Sequence, residues 1–247
     1  MDKLQLKWPE LAQPYDLAIR DCIEDILPDY EFTAVFAAGS VVRGQGGPTS
    51  DIDIYAVHSG GFRQRLQRRY QGVPFEIFIN PIDQIRKYFK SEHQQARQCA
   101  AHMVATGFLI LERDESIQKL RIEAQKWLDT PPNFSEEVSC FKNYMTVDLI
   151  DNARDLINSN PIYAKILLHR AVTQLIEIRF LQKGKCLPRD KDTLTELAII
   201  DKDASSVIKK FTLSSDIVND LDAVISLADR IIGTSSFFEW DSIPEKT

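Results

Sequence analysis

Two aspartates two positions apart, in Ser50-Asp51-Ile52-Asp53-Ile54-Tyr55, are the side chains of this sequence best suited to chemistry. The run continues into Ala56 and Val57 with the alternation and β-branched content of a strand, so Asp51 and Asp53 share one face and Ile52 and Ile54 the other. Two like charges about 7 Å apart on a residue type that forms strands poorly are costly. A divalent cation reverses that cost. Spaced carboxylate oxygens suit Mg²⁺, which keeps several waters and draws further ligands from a substrate's phosphates. Upstream, Phe32-Thr33-Ala34-Val35-Phe36-Ala37-Ala38 reads as a buried strand that runs into Gly39-Ser40. Val41, Val42 and Arg43 then allow one turn of helix before the glycines at 44, 46 and 47. A strand, small residues and a helix start expose backbone N–H groups and a hydroxyl, which suits an anionic phosphate.

Gly39-Ser40, ten residues, then Asp51-Ile52-Asp53 resembles the signature of the nucleotidyltransferase superfamily that shares the DNA polymerase beta type catalytic fold. The wording GSVVRG…PTSDIDIY is similar in particular to bacterial aminoglycoside nucleotidyltransferases and minimal nucleotidyltransferases. The resemblance implies Asp51 and Asp53 as Mg²⁺ ligands and a nucleoside triphosphate as substrate, ATP first among the candidates. It implies two ions, and a third carboxylate on a neighbouring strand. Glu76 is the only acid of the next strand, Gly72 to Asn80, whose Val73, Phe75, Ile77 and Ile79 form an apolar face, leaving Glu76 and Phe78 on the other. A glutamate in so apolar a strand needs water or a partner. Gly39, Ser40, Arg43 and Ser50 are the expected nucleotide contacts of the first domain, Arg43 reaching either a phosphate or a nearby acid. Lys165 is the expected contact from the second. Asp51, Asp53 and Glu76 are the expected catalytic and metal-binding set, with Glu76 or an acid of the helical domain, Glu177 or Asp148, as general base.

The elements that must position these groups follow from periodicity. Residues 14–27 place Leu17, Ala18, Cys22, Ile23, Ile26 and Leu27 at helical spacing behind a proline, as a helix packed on the sheet. Phe62 to Tyr70, FRQRLQRRY, reads as a helix with crowded arginines, either a solvated face or a basic rim for triphosphate or an acidic substrate. Pro81 opens a helical stretch that Glu92 to Gly107 continues, and Glu115 to Leu128 forms another amphipathic helix. His102 and His169 read as packing histidines. Thr130-Pro131-Pro132-Asn133 marks a boundary. Beyond it, Phe134–Ile157, Pro161–Gln182, Asp190–Ile200 and Ser215–Ile232 read as helices, with shorter structure from Asp203 to Phe211. The expected class is therefore α/β (α+β): a catalytic domain at 1–130 with a short mixed sheet flanked by helices, then an all-α bundle at 134–247 for substrate or partner binding. That bundle resembles both the aminoglycoside-modifying branch and HEPN domains.

A net charge of −6 argues against a general nucleic-acid binder, and 44% hydrophobic residues are enough for a real core. Four scattered cysteines with no clustered histidine indicate neither a zinc site nor a disulfide framework, and a cytoplasmic setting is the simplest expectation. No stretch approaches eighteen consecutive apolar residues, so no membrane contact is expected. The function expected is metal-dependent transfer of a nucleoside monophosphate to a hydroxyl of a small acceptor, an aminoglycoside being the best-known class. Modification of a protein or an RNA end is one alternative, and a binding module without turnover is another. The oligomeric state stays open, a homodimer included.

Overall fold

The structure is a computed structural model that describes residues 5–47 and 49–244; Pro48 of the signature and the outermost ends of both expected domains lie outside the described residues. The chain divides into two compact units, Met1–Thr130 and Pro131–Thr247.

The first unit is built on β1 (Phe32–Ala38), β2 (Ile52–His58), β3 (Gln64–Tyr70), β4 (Val73–Pro81) and β5 (Phe108–Glu112), in the order β3-β4-β2-β1-β5. Only β2 and β4 pair in parallel among the described pairs. Alternation sorts the strands into two faces. Val35, Ala37, Ile52, Ile54, Phe75 and Ile77 bury against Ala18, Ile19, Cys22, Ile23 and Ile26 of α1 (Tyr15–Ile26). Phe36, Tyr55 and Val57 bury on the opposite side, against Ile85 and Phe89 of α2 (Ile82–Gln94), Val104 of α3 (Cys99–Thr106) and Leu120 of α4 (Ser116–Asp129). Helices therefore cover both faces of a mixed sheet, the class the sequence led us to expect.

Two strands were not expected. FRQRLQRRY is not helical: Gln64–Tyr70 is the edge strand β3, joined to β4 by Gln71 and Gly72, both at positive φ (51° and 79°). Such a two-residue turn matches the right-handed twist of a hairpin and fixes the register Tyr70↔Val73. The arginines then stay exposed along an edge, which also blunts pairing with another chain. Phe108–Glu112 is β5 rather than a continuation of the preceding helix. Gly107 ends α3 by donating to the Met103 carbonyl at 2.9 Å, and a Cβ there would meet that oxygen at 2.4 Å and the Ala37 carbonyl at 3.3 Å.

The second unit is all helical: α5 (Glu136–Leu156), α6 (Pro161–Gln182), α7 (Thr193–Ile200), α8 (Lys202–Leu213) and α9 (Ile217–Ile231). The segment expected to hold shorter structure is the full helix α8. Side-chain caps start α5, α6, α8 and α9, from Ser135, Asn160, Asp201 and Asp216 respectively. Leu168, Ala171, Leu175, Ile208, Val224 and Leu227 meet in the core. No helix among the described residues is long and apolar enough to cross a membrane.

Asp201, at the α7–α8 junction, is 5% exposed. Burial alone would raise its pKa, but the Ala204 N–H (3.0 Å), Arg179 (2.7 Å) and Arg230 (2.6 Å) outweigh that and hold the carboxyl below its ordinary value. A depressed carboxylate stabilises the fold above its unfolded pKa and loses that contribution as pH falls through the folded value. Asp201→Ala should therefore destabilise the second unit by about 3 kcal/mol at neutral pH. Urea unfolding of variant and wild type should converge as the pH is taken below about 4.

Candidate active site

The fold puts the three expected acids together. Asp53, the second residue of β2, is flanked in register by Ala38 of β1 and Glu76 of β4, and Glu76 by Gln67 of β3. Asp51 sits just before β2, and one carboxylate oxygen from each of Asp51, Asp53 and Glu76 lies within 4.8 Å of the others. All three are partly exposed, at the end of the sheet face that α2, α3 and α4 leave open beyond Tyr55 and Phe36. The strand tolerates the acids because its other face buries Ile52 and Ile54 completely, each contributing roughly 2 kcal/mol.

Partial burial first, then the charges of Asp51 and Glu76, push the Asp53 carboxyl up to about 6; Arg43 and Arg65 pull it back only in part. The group is short of positive charge. Three hard oxygen donors facing one point fit a divalent cation such as Mg²⁺, which would supply it.

Gly39 makes the site possible sterically. Its φ is +94°, and a Cβ would stand 2.9 Å from Asp53 Oδ2. After it, Ser40 to Gly44 form a turn, closed by Gly44 N–H donating to the Val41 carbonyl at 3.0 Å and Gln45 N–H to the Ser40 carbonyl at 2.8 Å. No helix starts here, as the sequence had suggested, because Gly44 takes positive φ and turns the chain away. Ser50, 6% exposed, braces this loop: its hydroxyl accepts from Gly47 N–H at 2.8 Å and lies 3.1 Å from Ser40 Oγ.

Residues 18–130 match the family model described as a nucleotidyltransferase domain. That match lies within the first unit. No curated protein sequence matches the chain. In fold the chain is similar to the nucleotidyltransferase-like protein from Exiguobacterium sibiricum 255-15, with a TM-score of 0.51 and 15% identity over 89% of this chain and 76% of that one. At that identity the likeness speaks for the fold alone.

The acid cluster has two neighbours that sequence reasoning missed. Arg65 donates to Glu76 Oε2 at 2.6 Å and Gln67 to Glu76 Oε1 at 2.9 Å, so both oxygens of the third acid are held from β3. Arg65 also lies over the Phe78 ring, 4.9 Å from its centroid. The signal was the Gln71-Gly72 turn, which sets Gln67 opposite Glu76 once it is read as a hairpin.

The remaining expected site residues lie in the second unit and are engaged there. The Lys165 ammonium pairs with Asp220, which is 1% exposed, and approaches the Phe211 and Ser214 carbonyls at 3.4 Å. Glu177 pairs with Lys142 at 3.2 Å, and Asp148 accepts from Asn152 at 3.0 Å.

Three outcomes follow from this geometry. Gly39→Ala should weaken Mg²⁺ or Mn²⁺ binding at least tenfold by calorimetry, with the far-ultraviolet circular dichroism unchanged, because the new methyl displaces Asp53 and strains the backbone by about 1–2 kcal/mol. Metal affinity of the wild type should fall about tenfold per pH unit below pH 6, since a proton must leave Asp53 before the ion binds. Lys165→Met should cost about 3 kcal/mol of unfolding free energy by leaving Asp220 buried without a counter-charge, with no loss of ATP affinity.

Proposed function

We propose that the protein transfers a nucleoside monophosphate from a nucleoside triphosphate, ATP first among the candidates, to a hydroxyl of a small acceptor. The observation that carries this is the convergence of Asp51, Asp53 and Glu76 beside the Gly39-Ser40 turn, inside the segment that matches the nucleotidyltransferase domain model. The three carboxylates would hold Mg²⁺, two ions in this reading, which when bound neutralise the triphosphate and lower the pKa of the attacking hydroxyl.

The chain's own groups do the rest. Gly39 leaves room for the Asp53 carboxylate beside the turn, and Ser40, braced by Ser50, keeps a hydroxyl on that side. Arg43, whose charge is already felt at Asp53, adds a cation near the phosphates. The acceptor oxygen attacks the α-phosphorus, the α–β phosphoanhydride bond breaks, and pyrophosphate leaves with the electron pair. Glu76 takes the hydroxyl proton, its carboxylate aimed by Arg65 and Gln67. Glu177 and Asp148 are left out of the proposal because both are committed to partners within the bundle. Lys165 is left out for the same reason.

Among acceptors, likeness of the signature to the aminoglycoside enzymes makes a hydroxyl-rich sugar one candidate. A protein or RNA hydroxyl is the second reading, and the complete acid set argues against a module without turnover. Purified protein with Mg²⁺ and labelled ATP, GTP, CTP or UTP should transfer label to an acceptor and release pyrophosphate. Asp51→Asn and Asp53→Asn should each lower that release at least about a hundredfold. Wild-type turnover in either variant would overturn the assignment.

A further inference from the structure

The strand order places the acids between two chemically different borders. Gly39-Ser40 leaves β1 on one side of Asp53; β4 and then β3 lie on the other. On β3, Arg65, Gln67 and Arg69 alternate onto the face that carries Glu76, opposite Phe78, Glu76 and Pro74. A cavity of about 350 Å³ opens there, where Asp51 and Glu76 meet Gln67, Arg68 and Arg69. Its volume is at the small end of ligand sites and fits one sugar-sized unit.

The charges in this cavity are already partly spoken for. Glu76 takes Arg65 and Gln67. Arg68 pairs with Asp25 at 2.5 Å, and Asp25 also accepts from the Tyr70 hydroxyl. Arg69 donates only to a neutral group, the Gly72 carbonyl at 3.0 Å, so among the described residues its charge meets no carboxylate. An exposed guanidinium with spare N–H donors matches a phosphate better than an amine. A polycationic aminoglycoside would meet Arg69 as a like charge.

We infer that the acceptor is a hydroxyl compound that itself carries a phosphate, seated against Arg69 on the β3 side of the acids while the triphosphate lies over Gly39-Ser40. This rests on the nucleotidyl-transfer reading of the site. The acceptor's own phosphate is not consumed: its hydroxyl oxygen forms the new bond to the α-phosphorus, pyrophosphate leaves, and the proton goes to Glu76. Arg69 thus selects the acceptor by charge, and the chemistry it recognises is common to a sugar phosphate and to the end of a nucleic-acid strand.

The test uses the full chain with Mg²⁺ and a non-hydrolysable ATP analogue. Calorimetry first measures binding of the analogue and then of inorganic phosphate to the analogue-bound protein. Phosphate should bind, at least tenfold more weakly to Arg69→Ala, with part of the affinity recovered in Arg69→Lys and affinity for the analogue unchanged. Displacement of phosphate by ribose 5-phosphate but not ribose assigns a small acceptor; displacement by a short oligoribonucleotide assigns a strand end. Absence of phosphate binding, equal binding by Arg69→Ala, or binding of kanamycin in place of phosphate overturns the inference while leaving the transfer reading intact. Failure of the analogue to bind at all sinks the transfer reading, and the inference with it.

Discussion

Three carboxylates held within 4.8 Å of one another are the constraint on which the first unit depends. Their repulsion opposes the strand pairing that creates it, and the fold answers from three directions. Complete burial of Ile52 and Ile54 holds β2 against the sheet, and the missing Cβ of Gly39 leaves room for Asp53. Arg65 and Gln67 take both oxygens of Glu76. What remains uncompensated is Asp53, whose carboxyl stays raised to about 6. A site left short of positive charge by its own architecture is poised for a cation.

The second unit handles charge differently. Asp220 is sealed in and matched by Lys165, and Asp201 is matched by two arginines and a helix N-terminus. Buried charges of this kind hold packing geometry through the penalty for separating them. They are therefore poor candidates for substrate contacts, which need donors left over. Arg69 of the first unit is such a donor, and its place beside the acids is what gives the site a directional preference.

The acid set was legible because acids on apolar strands are conspicuous. Asp51 and Asp53 interrupt a β-branched run, and Glu76 interrupts an alternation of Val73, Phe75, Ile77 and Ile79. The large helices were legible from their apolar spacing and the prolines that open them. Strand β3 was not, because Leu66 and Tyr70 fit a period of 3.6 as well as a period of 2, and three arginines obscure the alternation. Strand β5 was hidden by the unbroken apolar run Phe108–Leu111 directly after a helix, where only Gly107 marks the change. Missing β3 concealed the register, and with it the role of Arg65 and Gln67 toward Glu76. The turn after Ser40 was read as a helix start because Val41-Val42-Arg43 carries no breaker; the positive φ of Gly44 decided otherwise. Lys165 was singled out by the resemblance of the bundle to related enzymes, and nothing in one sequence pairs it with an aspartate fifty-five positions later.

Asp51, Asp53 and Glu76 are placed to form one metal centre at the end of the sheet. Crystals grown with Mn²⁺ and a non-hydrolysable triphosphate analogue would test it through the anomalous signal of the ion. An anomalous peak is expected at about 2.2 Å from carboxylate oxygens of Asp51 and Asp53, with the analogue's phosphates beside Gly39 and Ser40. Phosphates bound there with no peak at the acids, or a peak held by other residues, would contradict it.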